Sequence, residues 1–102
     1  MTPEHEGEIL ARALFHHGFR RQAKQLGEEC CELGAAAFRL DRPEREATLE
    51  KFLEELADVD IMVAQMRLWL ASDAGALETF ERWRDSKLQR IEDFLDREGA
   101  RR

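Results

Sequence analysis

Apolar side chains recur every three or four positions along almost the whole chain, and the pattern breaks at only three places. These are His17-Gly18, Leu40-Asp41-Arg42-Pro43 and Ser72-Asp73-Ala74-Gly75. A repeat near 3.6 residues is that of an amphipathic helix, and a chain that keeps it has little freedom to form strands. The composition agrees: the sequence is rich in Leu, Ala, Glu and Arg, lacks tyrosine and has only 2 prolines. Pro3, followed by Glu4, Glu6 and Glu8, reads as a helix start, and Pro43 suits the first position of a later helix. The spacing predicts helices from Pro3 to His17-Gly18, Phe19 to Arg39, Pro43 to Leu70 and Ala76 to Glu98. Ser72 or Asp73 caps the last helix, Gly99 stops it, and the Arg101-Arg102 tail frays. The expected fold is all-α, a four-helix bundle-like protomer in one domain over residues 1–102. A chain this short buries a modest core, so assembly into a homo-oligomeric helical bundle is expected.

On a helical wheel, at about 100° per residue, Leu26, Cys30, Leu33 and Ala37 form one stripe of the second helix. Gln22, Gln25, Glu29 and Glu32 run along its flank. In the third helix the stripe is Leu49, Phe52, Leu56, Val59, Val63 and Leu70. Glu55 and Asp58 flank it, beside Met62 and Met66. Acids on a surface helix usually lie opposite the apolar stripe, where water solvates them. Acids at its edge on two facing helices repel or raise each other's pKa unless a cation sits between them. Glu29-x-x-Glu32 and Glu55-x-x-Asp58 each place two carboxylates on one helix face. Together they offer four hard oxygen donors, the donor type that Mg²⁺ and Mn²⁺ prefer. The competing reading is a solvated face with i,i+4 salt bridges to Arg39, Arg42, Arg45 or Lys51.

The charge balance, 22 acids against 16 bases, argues against a nucleic-acid polymer as partner, because phosphate backbones need clustered cations. It does not argue against a nucleotide, since bound metal inverts the local charge. Met1 to Leu10 carries three glutamates and no apolar run, so no signal peptide is expected. No apolar stretch is long enough for a membrane span, and a cytoplasmic setting is the default. Cys30 and Cys31 are adjacent, lack C-x-x-C spacing and read as buried or half-buried helix thiols. His5, His16 and His17 do not follow a Glu at the E-x-x-H spacing of di-iron bundles. Phe15, Phe19, Phe80 and Phe94 read as core, Trp69 and Trp83 as core or subunit-interface packing, and Met62 and Met66 as gap-fillers.

The acidic runs and their flanks resemble the MazG-like all-α nucleoside triphosphate pyrophosphohydrolases. The motif reads Glu29-x-x-Glu32, preceded by Glu28, then a spacer, then Glu55-x-x-Asp58. Gly18 to Leu26 leads into the first run as in that family, and Glu54 to Met62 is similar to its E-E-(I/L)-A-D-V stretch. Lys87-Leu88-Gln89-Arg90 resembles its basic K-x-x-R, and the likeness extends from Gly18 to Leu95. The resemblance implies hydrolysis of a nucleoside triphosphate between its α and β phosphates, releasing pyrophosphate. It implies Mg²⁺, or Mn²⁺, held by Glu29, Glu32, Glu55 and Asp58, with Glu28 binding a further ion or orienting the attacking water. Lys87 and Arg90 would contact the phosphates, with Lys24 or Arg21 assisting. Gln22 and Gln25 are candidates for a base or phosphate contact, or else surface polar groups. Self-association as a homodimer or homotetramer completes the expectation. The alternatives are a non-catalytic helical nucleotide- or protein-binding module and a purely structural dimerisation bundle.

Overall fold

A computed structural model describes residues 1–42 and 45–100. Four helices follow in order: α1 Pro3–His17, α2 Phe19–Phe38, α3 Arg45–Leu70 and α4 Ala74–Ala100. Among the described residues there is no strand, and the fold is all-α. Thr2 caps α1, its hydroxyl accepting from the His5 N–H at 3.1 Å, with Pro3 in the first turn. Gly18 ends α1 and starts α2. It has φ 85 and ψ 158, a region that side chains disfavour. Its N–H donates to the Leu14 carbonyl at 2.8 Å, and its own carbonyl accepts from the Gln22 N–H at 3.1 Å. One residue thus serves as the cap of two helices, and the break expected at His17-Gly18 is this turn.

Asp73 is the cap of α4, its Oδ1 accepting from the Ala76 N–H at 3.0 Å. Gly99 does not stop α4, which continues to Ala100. A helical glycine costs only about 1 kcal/mol relative to alanine, so one glycine does not oblige a helix to end. The expected start of the third helix at Pro43, and the Arg101-Arg102 tail, lie outside the described residues. No described helix is long and apolar enough to cross a membrane.

The chain forms two compact units, the first Met1–Trp69 and the second beginning at Leu70. In the first, α1 packs on α2. Helices α2 and α3 form an antiparallel hairpin. Phe19 stacks on Trp69, with centroids 3.8 Å apart and planes 14° from parallel. Further along, the Gln22 side-chain amide donates to Gln65 Oε1 at 2.7 Å, and Glu32 lies beside Glu55. Beyond that, Ala36 shares a cleft with Thr48 and Lys51. Each step down α2 meets an earlier turn of α3, the contact order of an αα-hairpin.

The buried faces differ from the expected stripes. On α2 the inward face is Gln22, Leu26, Glu29, Leu33 and Ala36, while Cys30 and Ala37 are exposed. Cys31 is exposed too, so both thiols face outward. On α3 the inward face is Phe52, Glu55, Val59, Met62, Gln65, Met66 and Trp69, while Leu49, Leu56 and Val63 are exposed. The reason is that α3 carries two apolar arcs. One faces α2, and the other, Leu49, Leu53, Leu56 and Val63, is left outward. Periodicity identifies both arcs but does not say which one the hairpin uses. Phe15, expected in the core, is 93% exposed.

In the second unit, Leu77 and Phe80 are half-buried. Trp83, Leu88, Ile91, Phe94 and Leu95 are exposed, so Phe94 is not core in the protomer. Leu77, Phe80, Leu88, Ile91 and Leu95 nonetheless share an arc of roughly 80° on α4.

Candidate metal centre

The hairpin register brings three carboxylates together. Glu29 and Glu32 come from successive turns of α2, and Glu55 comes from the facing turn of α3. One oxygen from each lies within 4.8 Å of the others. Glu29 is half-buried, Glu32 exposed, and Glu55 only 4% exposed. The acids therefore line a wall of the hairpin groove that opens to solvent on the Glu32 side. Glu55 lies in the middle of the buried face of α3, not at its edge.

Each inner acid has one oxygen satisfied and one orphaned. Glu29 Oε1 accepts from the Gln25 amide at 2.7 Å, and Glu55 Oε1 accepts from the Lys51 ammonium at 2.9 Å. Glu29 Oε2 and Glu55 Oε2 are buried without a hydrogen-bond partner. Buried carboxylate oxygens without partners are costly, and a proton shared with Glu32, a water or a cation would each relieve that cost.

The electrostatics carry the same signature. The charge of Glu29, reinforced by that of Glu55, pushes the Glu32 carboxyl above the usual carboxylate range. The hydrogen bond from Lys51 holds Glu55 below it. The same bond, with the charge of Glu54, raises Lys51. The Lys51 ammonium, paired with Glu55, only partly offsets the repulsion that raises Glu32.

The donor set fits a hard divalent ion. Neighbouring ligand oxygens at about 2.1 Å from Mg²⁺ would lie roughly 3 Å apart, so oxygens as much as 4.8 Å apart would close by up to about 2 Å through side-chain rotation. The remaining positions would be water, which Mg²⁺ gives up reluctantly.

The other sequence candidates are placed as follows. Asp58 is half-buried on the same face of α3 but lies outside the group of three, and Glu28 is exposed on α2, also outside it. Gln22 is 6% exposed, and its amide is committed to Gln65, itself 4% exposed, whose own amide reaches the Met62 sulfur at 3.6 Å. Lys24 and Arg21 are exposed on α2. Lys87 and Arg90 are exposed on α4, the Lys87 ammonium standing 5.9 Å from the centre of the Trp83 ring. Lys51, weighed from the sequence only as a salt-bridge partner, is a member of the cluster. Its signal was its place one helical turn before Glu55.

No known protein family, curated protein or solved structure matches the chain.

Proposed function

We propose that this protein is a Mg²⁺-dependent nucleotide pyrophosphohydrolase. The observation that carries the proposal is the group of three acids, with two buried orphan oxygens, on facing helices of one hairpin. The resemblance of Glu29-x-x-Glu32 and Glu55-x-x-Asp58 to the MazG-like pattern supplies the reaction class. In this reading Glu29, Glu32 and Glu55 hold the ion, with Asp58 joining directly or through water. Mg²⁺ supplies charge neutralisation for the triphosphate and for the pyrophosphate that leaves. Glu28, exposed on α2 outside the group of three, binds a further ion or orients the attacking water. Lys24, on α2 of the same unit, contacts the phosphates as a point charge, and the resemblance assigns a phosphate contact to Lys87 and Arg90 as well. Gln22 is assigned to the packing of the hairpin, because its amide is already engaged.

The same reading makes the active species a homo-oligomer. The outward arc of α3 and the arc of α4 are apolar surfaces of the kind a second copy covers. A reducing cytoplasm suits two exposed cysteines.

The test is pyrophosphate release from a panel of nucleoside and deoxynucleoside triphosphates with Mg²⁺, alongside Mn²⁺ titration of the protein. The expected result is turnover that requires the metal and falls at least a hundredfold in Glu55→Gln. No release from any triphosphate, or activity unchanged in Glu55→Gln, rejects the catalytic assignment. Metal binding without turnover supports instead a non-catalytic nucleotide-binding module. The Lys51–Glu55 ion pair favours a third reading, a structural helical module. That reading predicts no change in melting temperature with Mg²⁺, whereas a site filled at 100 times its Kd stabilises the fold by about 2.7 kcal/mol.

A further inference from the structure

Lys51 stands where the charge of a cation is needed, and it stands between two acids. Its ammonium is 2.9 Å from Glu55 Oε1 and 3.7 Å from Glu54 Oε1. The two acids differ in kind. Glu55 is buried in the hairpin face, with a side chain 5% exposed, while the Glu54 side chain is 65% exposed and lies outside the group of three. The Lys51 side chain is 53% exposed, so its long, solvated stem is free to rotate and carry the head from one acid to the other. It also borders a cleft of about 190 Å³ lined by Ala36, Arg39, Ala47 and Thr48, which leaves it room to move.

The ammonium is an imperfect counter-ion. It brings one positive charge to one of the three acids and leaves an oxygen of Glu29 and an oxygen of Glu55 without partners. A divalent ion at the same three acids would bring twice the charge. It also repels the ammonium. The departing ammonium already has its next acceptor in Glu54, one residue along the same helix.

We propose that Lys51 is the resident counter-ion of the metal-free cluster, and that it passes from Glu55 to Glu54 when a divalent cation binds to Glu29, Glu32 and Glu55. This rests on the metal reading given above. Lys51 is here a positioning residue: it touches no substrate, and it acts by holding Glu55 in place and by competing with the ion for it. Two consequences follow for the metal-free protein. Lys51 stabilises the hairpin by neutralising a buried acid, and it weakens metal binding by occupying that acid.

The experiment is Mn²⁺ titration followed by electron paramagnetic resonance, at fixed pH and low ionic strength, on the full chain and on Lys51→Met, Lys51→Arg and Glu54→Gln. Melting curves with and without Mn²⁺ accompany it. Lys51→Met is expected to bind Mn²⁺ roughly three- to tenfold more tightly than the parent, the range set by one partly exposed charge-assisted contact. Metal-free, it melts lower than the parent, and Mn²⁺ raises its melting point by more. Lys51→Arg keeps the competing charge and returns the affinity towards that of the parent. Glu54→Gln weakens Mn²⁺ binding more in the parent than in Lys51→Met, because only the parent needs the second acceptor. A merely structural lysine lowers the melting point equally with and without metal. If the parent binds Mn²⁺ and Lys51→Met binds it equally or more weakly, the exchange is refuted and the metal site stands. If the parent binds no Mn²⁺ at all, the site and the exchange fall together.

Discussion

The buried amide pair at the α2–α3 interface makes a sharp prediction, because Gln22 was a candidate substrate contact by sequence and is a packing group by position. Gln22→Met keeps the length of the side chain and removes the donor to Gln65. Gln65 is 4% exposed, so its oxygen then has no water to turn to. Leaving one buried amide unsatisfied costs about 1–3 kcal/mol. For a domain of this size each kcal/mol moves the melting point by roughly 4–8 °C, so a loss of about 2 kcal/mol is about 8–16 °C. The double variant Gln22→Met/Gln65→Met removes both polar groups at nearly constant volume and is expected within about 1 kcal/mol of the parent. Urea unfolding of the parent, both single variants and the double variant, followed by far-UV circular dichroism, gives the coupling directly. Losses that simply add, with coupling below about 0.5 kcal/mol, would refute the claim that the two amides act as a unit. A raised KM in Gln22→Met with unchanged stability would return Gln22 to the substrate site.

Four further outcomes are expected. Glu32→Gln stabilises the metal-free protein at neutral pH, because Glu29 and Glu55 hold the Glu32 carboxyl above its ordinary value. Its ionised form therefore weakens the fold above that raised value, and the advantage of the variant shrinks as pH falls through it. Glu55 has the opposite sign: its depressed carboxyl contributes stability at neutral pH that is lost in acid as pH falls through its folded value, which a Lys51→Met melting series against pH will show as a weaker acid dependence. Gly27→Ala and Gly18→Ala are the same substitution with opposite results, although a Cβ meets nothing within 4 Å at either. Gly27 is mid-helix and gains about 0.5–1 kcal/mol, whereas Gly18 at φ 85 loses about 1–3 kcal/mol, both readable by urea unfolding. Leu53→Asp with Leu56→Asp charges the outward arc of α3 and is expected to convert an oligomer to monomer in sedimentation velocity; an unchanged sedimentation coefficient rejects that arc as the interface.

Two helix boundaries were legible because each rests on a local cause. Gly18 turns the chain, and Asp73 caps the helix that follows it, and both are visible in single residues. The acids at 29, 32 and 55 were legible because their spacing fixes a helix face, and the hairpin register then sets them together. Two things were not. The rotation of α3 was hidden because Leu49, Leu56 and Val63 are as apolar as Phe52 and Val59, and burial by a partner helix is a tertiary choice among equals. The burial of Gln22, Glu55 and Gln65 was hidden for the same reason, since polar residues are placed outward by default. Asp58 shows the limit of motif spacing: it shares the face of Glu55, one turn on, yet lies outside the group of three acids.

The Lys51–Glu55 pair also has a kinetic side. Both residues belong to α3, four apart, so their contact needs only the helix and no tertiary structure. Glu29 and Glu32 reach Glu55 only when the hairpin closes. The closing chain must therefore bring acids together, and it does so with one of them already neutralised from within its own helix. Folding should accelerate with added salt at constant viscosity, as screening lowers the barrier. Lys51→Met should slow the folding limb of the chevron more than it speeds the unfolding limb, which marks the pair as formed before the transition state.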